Sequence, residues 1–504
     1  MVAVFSLLVV CAQDNRESVL IMMCWLGVAT AIAGVLTHTG VLPLSSGLEE
    51  GRLQFTFQYA NAAGVWYGSM VLLCVLSPEK RLQSFTALPA LALLLTQSGG
   101  AILAFLAVAI VVGAYVVSNR DLGLLSDALV QALVALVSFA FCVWRPGIGD
   151  ALGLVLALSC CVLLTRRDVF AHSRFAGSKG SWALLACLLV AAVVGLSLTS
   201  ARLGFATSNF VERLYHIRDG ISLWSGLPVF GIGPGNWQYA YRMAQSAQYN
   251  ATIVHCAYVQ VLLDAGIVGL LPLFAAIAIG ARGLMSDPEG DEGWARAELA
   301  ALLLLALHAL VDFDLCFTSL GCLLALLVCG PTGPTMQLGR WRLALTPALL
   351  VSCMLGLLCA ASTFSLSMAN ARGDYASCIR LYESSPLAKA DQSARGEYLM
   401  ALRSTGRHSE VVEAYRQMPD PTDRCVILAA LSLADMGEIN EAGIDLVHRL
   451  EERPFDIPLF DAATEVLTGL GASQEVADAY GEFVEHADGL IAQTSELLPL
   501  WRLY

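Results

Sequence analysis

QSGGAILAFLAVAIVVGAYVVSNR, Gln97 to Arg120, carries no charge until its last residue. A bilayer core of roughly 30 Å is crossed by about 20 apolar residues. In lipid the backbone polar groups must be satisfied inside the segment, so such a run is a helix. The preceding run, 85–98, is also apolar, and the polar, glycine-bearing QSGG between them reads as the turn of a hairpin. Working outward, the same test marks spans at 19–37, 60–77, 85–98, 99–117, 122–144, 149–165, 181–199, 256–280, 297–315, 317–330 and 343–363, with a short apolar segment at 2–12. Composition agrees: 57% of residues are hydrophobic, 14% are charged, and the mean hydropathy of +0.66 exceeds that of soluble domains. The expected fold class is all-α: a polytopic transmembrane helix bundle of about 11–12 spans over 1–363, followed by a soluble helical domain over 364–504.

The hairpin fixes the orientation. It puts Lys80, Arg81, Arg120, Arg166, Arg167, Arg174, Lys179, Arg282, Arg340 and Arg342 on one side, which the positive-inside rule assigns to the cytoplasm. The large loop 200–255 and everything after Phe364 then face the exoplasm. The segment 2–12 enters from outside in this scheme. Either it lies in the interface or the chain begins partway through a longer architecture, and the second reading is the one favoured. MVAVFSLLVVCAQ lacks a basic start, so no cleavable signal peptide is read there.

The net charge of −13 is uneven, because Phe364 to Tyr504 holds 23 acidic against 11 basic residues. That acidic tail is a separate, water-soluble domain. Within it ARGDYASCIRLYESSP, STGRHSEVVEAYRQMP, DMGEINEAGIDLVHRL and GLGASQEVADAYGEFV repeat one pattern, anchored on Gly373, Gly406, Gly437 and Gly471. The spacing is close to the roughly 34-residue period of tetratricopeptide-like helix hairpins. Pro386 and Pro419 fall after second helices, as that pattern requires. Such arrays bind partners, so an exoplasmic protein partner through 364–504 is expected, against the plainer role of steadying the last span. The 15 cysteines sit mostly in apolar runs such as LSCCVLL and LLCVLS, without CxxC or zinc-like spacing, and read as packing residues rather than metal ligands. Neither a metal nor a nucleic-acid partner is expected.

The loop carries Arg202, Arg213, Arg218 and Arg242 against Glu212 and Asp219, and Arg52 and Arg145 face outward as well. Exoplasmic loops ordinarily avoid positive charge. Guanidinium forks bind phosphates bidentately and stay charged, so the cluster points to a phosphate or pyrophosphate on a lipid carrier, with pairing to headgroups as the alternative. Gly231, Gly233 and Gly235 with Pro234 form a tight turn, and they lack the residues of a P-loop or dinucleotide fingerprint. His255 stands where the loop enters the next apolar run. It is placed either to accept a proton from a hydroxyl or simply to bond backbone at the boundary. Asp264, His308, Asp312 and Asp314 lie at or near membrane depth, where ionisable groups are functional or paired. Asp312 and Asp314 either cap helix ends or hold the arginines.

Four stretches in order, RLQFTFQYANAAG (Arg52–Gly64), RLYHIRDGISLWSGLPVFGIGPGNW (Arg213–Trp237), HCAYVQVLLDAGIVG (His255–Gly269) and HALVDFDL (His308–Leu315), resemble the O-antigen ligase and polymerase superfamily. The resemblance implies a metal-independent glycosyltransferase, without cofactors, that joins a glycan from undecaprenyl diphosphate to an acceptor hydroxyl outside the bacterial inner membrane. It implies that Arg213 contacts the diphosphate and that His255 activates or orients the hydroxyl. Arg52 and its companion Asn61 match the opening stretch, Gly231, Gly233 and Gly235 shape the loop, and Asp312 is a supporting polar residue. Two positions depart. Ile217 replaces an aromatic residue, and Gly99 stands where the family stretch has arginine, a contact that is then either missing or supplied by Arg218.

The chemistry is self-consistent. Diphosphate departure builds negative charge that preorganised arginines stabilise, the hydroxyl proton goes to His255, and single displacement inverts the anomeric centre. The acceptor, a glycan, lipid or protein, is left open. The same motifs serve a repeat-unit polymerase, which is the first alternative. A non-catalytic scaffold or a transporter with a partner-binding repeat domain is the second: the transporter is disfavoured because 19–363 shows no internal repeat, the scaffold because it has no use for outward arginines facing His255.

Overall fold

The computed structural model describes residues 2–165, 203–286, 292–329 and 341–466, apart from isolated positions, and scattered residues up to 489. The expected span at 181–199, the basic residues Arg166, Arg167, Arg174, Lys179, Arg202 and Arg340, and the fourth repeat glycine Gly471 lie outside them. The chain divides into two compact units, one of residues 3–213 with 254–337, the other of 214–253 with 338–504.

The first unit opens with α1 (Val2–His38) and a two-stranded antiparallel hairpin, β1 (Leu48–Glu49) with β2 (Arg52–Leu53), in which Glu49 faces Arg52. Then come α2 (Ala60–Leu76), α3 (Lys80–Ser84), α4 (Ala87–Thr96), α5 (Gly99–Ser118), α6 (Leu122–Trp144) and α7 (Ile148–Thr165). α8 (Leu203–Gly226) begins here and runs on into the second unit. α10 (Ala257–Met285), α11 (Glu292–His308) and α12 (Thr318–Val328) follow a helix of the other unit, α9 (Trp237–Ala244). Arg16–His38, α5, Gly123–Trp144, α7 and α10 are long and apolar enough to cross a membrane, and α2, α4 and α12 are shorter apolar helices. The protein is therefore an all-α, multi-pass membrane protein.

α2 is apolar all round and buried almost throughout, as a central helix must be. Gly64 lets it approach α5: a Cβ there would stand 2.8 Å from that of Ala101. α5 turns the rest of its surface outward, with Leu103 70% and Ile110 71% exposed, as a lipid-facing helix does. Several boundaries differ from the sequence reading, among them 85–98, helical over Ala87–Thr96, and 343–363, helical over Trp341–Ala371. The segment 2–12 is no separate span but the start of the 37-residue α1. The span read as 297–315 is helical only to His308, because the polar residues of VDFD leave the helix for a turn, so Asp312 and Asp314 stand beyond its end. α10 is broken at Gly266, whose φ of 64° and ψ of −161° are not helical.

The second unit joins the loop 214–253 to α13 (Trp341–Ala371), α14 (Tyr375–Ser384), α15 (Pro386–Ala390), α16 (Gln392–Ser404), α17 (His408–Arg416), α18 (Asp423–Asp435), α19 (Ile439–Glu452) and α20 (Ile457–Thr464). Three of its turns share one design. Gly373, Gly406 and Gly437 take φ of 73°, 74° and 89°, and the residue after each bonds back to Ala369, Leu402 and Leu433 at 2.9, 3.0 and 2.9 Å. This is the glycine-terminated helix stop, repeated. Cys378, Leu399, Leu402, Val411 and Cys425 form one core, and Leu446, Leu450, Leu459 and Ala463 another, so the two cysteines pack as apolar residues.

Candidate active site

Asp312 gathers the first unit's polar residues. Leaving α11 after His308, the chain turns so that the Asp312 carboxylate is fully buried. A buried carboxylate needs compensating donors, and three elements supply them. Tyr59, just before α2, donates its hydroxyl at 3.0 Å. Asn61, in the first turn of α2, donates its amide at 2.7 Å. Arg213, on α8, pairs at 3.3 Å and donates a second hydrogen bond to the Val311 carbonyl at 2.6 Å. These two contacts use two of the five N–H donors of the guanidinium. Its fork is fixed in place while other donors remain for an anion.

Arg52 is tied to the same cluster through Asn61. Its Nη2 donates to Asn61 Oδ1 at 3.0 Å and its Nε to the Thr96 carbonyl at 3.1 Å, while Ser98, the N-cap of α5, donates to that Asn61 oxygen at 2.8 Å. Asn61 thus accepts from Arg52 and Ser98 on one atom and donates to Asp312 from the other, a direction only an amide can satisfy. Gly99 follows the cap, and a Cβ built on it meets nothing within 4 Å. The next residue differs: a Cβ on Gly100 would lie 3.2 Å from His308 Nε2. His308 is itself buried and held through Nδ1 by Asp314 at 2.7 Å.

His255 is placed by the same turn. The backbone N–H of Ala257, first in α10, donates to the Ala309 and Asp312 carbonyls, both at 2.9 Å. The His255 ring meets Phe313 edge-on at 4.9 Å, and Phe313 stacks on Tyr59 at 4.8 Å. The turn 309–313 therefore positions Arg213 by its carboxylate and His255 by its carbonyls and ring. Behind His255, Gln260 accepts from the Val254 N–H and donates to Asp264, so Asp264 is partnered.

Of the residues singled out in the sequence, Arg52, Asn61, Arg213, His255 and Asp312 come together in the first unit. Arg218, Gly231, Gly233 and Gly235 belong to the second. There the three glycines take φ of 70°, 95° and 75°, values open to glycine, and make the turn between α8 and α9. Sequence reasoning passed over Tyr59, Ser98 and the Thr96 carbonyl, although Tyr59 sits inside the quoted RLQFTFQYAN.

Residues 84–274 match the family model described as O-antigen ligase. No curated protein and no solved structure matches the chain. Over this segment the chain is similar to the O-antigen ligase family. The segment takes in Arg213, the loop and His255, and stops short of Arg52, Asn61 and Asp312 on either side.

Proposed function

We propose that the protein is an O-antigen ligase-like transferase, moving a glycan from an undecaprenyl-diphosphate carrier to an acceptor hydroxyl on the exoplasmic face of the bacterial inner membrane. What carries the reading is the Asp312 turn, which pairs with Arg213 through its carboxylate, accepts the Ala257 N–H two residues after His255, and meets the His255 ring through Phe313. In the reaction the bond between the anomeric carbon and the diphosphate oxygen breaks, and its electron pair leaves with the diphosphate. The free donors of Arg213, supported by Arg52, take up that charge in a water-poor site, where such donors act most strongly. The acceptor oxygen bonds the anomeric carbon from the opposite face and gives its proton to the His255 imidazole. The product is inverted. Asp312 touches no substrate and is a positioning residue, and so is Asn61.

The test is transfer from a lipid-diphosphate glycan in membranes. Arg213→Ala and His255→Ala should each abolish detectable transfer at matched insertion. Arg213→Lys should not restore it, because a point charge cannot hold both the Asp312 carboxylate and a phosphate oxygen. Full activity in Arg213→Ala and His255→Ala would overturn the site. An acceptor that is itself lipid-diphosphate-linked would make the same chemistry a polymerisation.

A further inference from the structure

The loop does not hang free in the second unit. Its own core is Trp237, fully buried, donating to the Ala251 carbonyl at 3.1 Å and stacked on Tyr241 at 5.3 Å. Asp219, also buried, accepts from the Ser246 N–H and hydroxyl and from Tyr249 at 2.9, 2.6 and 2.7 Å. One helix of this folded loop, α9, meets the repeats. Tyr239 lies against Ser393 at the start of α16, with the two hydroxyl oxygens 2.5 Å apart. Arg453 donates to the Tyr239 carbonyl at 3.1 Å and pairs with Asp423 at the start of α18. Arg242 pairs with Asp456, the fully buried N-cap of α20.

Three successive repeats therefore present the N-terminal ends of α16, α18 and α20 to one helix. Helix N-termini attract carboxylates, and here Asp423 and Asp456 occupy two of them while facing the cations Arg242, Arg449 and Arg453. Burial pushes the Asp456 carboxyl above the ordinary carboxylate range, and Arg242 opposes that shift. Pairs this well buried are screened little by salt. In sequence the folded loop starts one residue after Arg213 and ends two residues before His255.

We infer that the repeat array works in cis: the edge formed by the starts of α16, α18 and α20 is the docking surface for α9, and Arg242, Arg453, Asp423 and Asp456 are positioning residues that hold this loop, which Arg213 and His255 flank in sequence. Its effect on transfer rests on the function proposed above, whereas the docking does not.

Proteolysis of the full-length protein in detergent separates the two. Asp456→Asn removes the charge but keeps a side chain that caps α20 equally well. It should raise trypsin cleavage after Arg242 at least about fivefold, the residue being otherwise shielded, while Arg242→Lys keeps the pairing charge and should stay protected. From the loop side, Arg242→Gln leaves the repeats untouched and should expose the bond after Tyr239 to chymotrypsin. Wild-type protection in both Asp456→Asn and Arg242→Gln overturns the docking. Where the repeats themselves open in Asp456→Asn, seen as new cuts after Arg403 and Arg416, Arg242→Gln alone decides. Transfer should show a raised KM for donor in Arg242→Gln and recovery in Arg242→Lys. Unchanged transfer with an exposed loop removes the positioning role and leaves the docking. A wild type that is protected yet transfers nothing overturns the function instead.

Discussion

At the scale of single residues, Asp312 and Gly99 make opposite predictions. Asp312→Asn keeps the shape of the side chain but removes the charge that fixes the Arg213 fork. A displacement of about 1 Å in such a site costs on the order of 10²-fold in rate, so transfer should fall by about that factor while the variant still inserts and elutes as a single species. Gly99→Arg should be accepted without loss of stability, since space is open at that position. It should lower the donor KM severalfold by adding a cation beside Ser98. Gly100, one residue on, has less room: a Cβ there would stand 3.2 Å from Nε2 of buried His308. Arginines, a histidine and an aspartate announce their chemistry in a sequence, which is why Arg52, Arg213, His255 and Asp312 were legible. The Thr96 carbonyl carries no such mark, because any residue there offers the same oxygen. Tyr59 was hidden among the aromatic residues of FTFQY, where its hydroxyl cannot be told from packing.

At the scale of elements, the informative places are where helices break. Gly266 takes a conformation that is essentially glycine's alone, so Gly266→Ala should cost about 1–3 kcal/mol. It should also depress transfer, because the short N-terminal piece of α10 follows His255 directly; thermal unfolding beside the transfer assay checks both. In DAGIVG the glycine could be seen but its φ could not, and apolar periodicity ran straight through it. The end of α11 was misplaced for a related reason: hydropathy counts Val311 and Phe313 as membrane residues, whereas buried Asp312 and Asp314 need donors that a helix interior does not offer. In α19, burial and then Glu441 push the Asp445 carboxyl up. Stability tied to a raised carboxyl is fully present below the unfolded value of about 3.9 and is lost as pH rises through the folded value. Asp445→Asn cannot ionise, so at neutral pH its repeats should melt above those of wild type by circular dichroism. The difference should close as the solution is acidified below that unfolded value.

For the whole molecule, the docking of α9 constrains topology in a way hydropathy could not. Tyr239 and Arg242 belong to the loop, and Ser393, Arg453 and Asp456 to the repeats, so these contacts require loop and repeats to lie on one side of the membrane. The chain between them must then cross an even number of times; within it α10 is long and apolar enough to cross, and α12 is a shorter apolar helix. The basic residues alone assign both segments to one side as well. What the sequence hid was the contact, since residues 214–253 and 338–504 lie far apart in the chain and no periodicity links them. A membrane-impermeant maleimide decides the direction, in a background where the exposed Cys316 is replaced by serine. Phe230→Cys, at a position 73% exposed in the loop, and Glu413→Cys, in the repeats, should both react in intact cells. Asn119→Cys, beside Arg120, should react only after permeabilisation. Reaction of all three alike would undo the hairpin at QSGG on which the orientation rests. The reverse pattern would put the loop arginines in the cytoplasm, where positive-inside bias alone accounts for them, and their excess would no longer call for an anionic substrate.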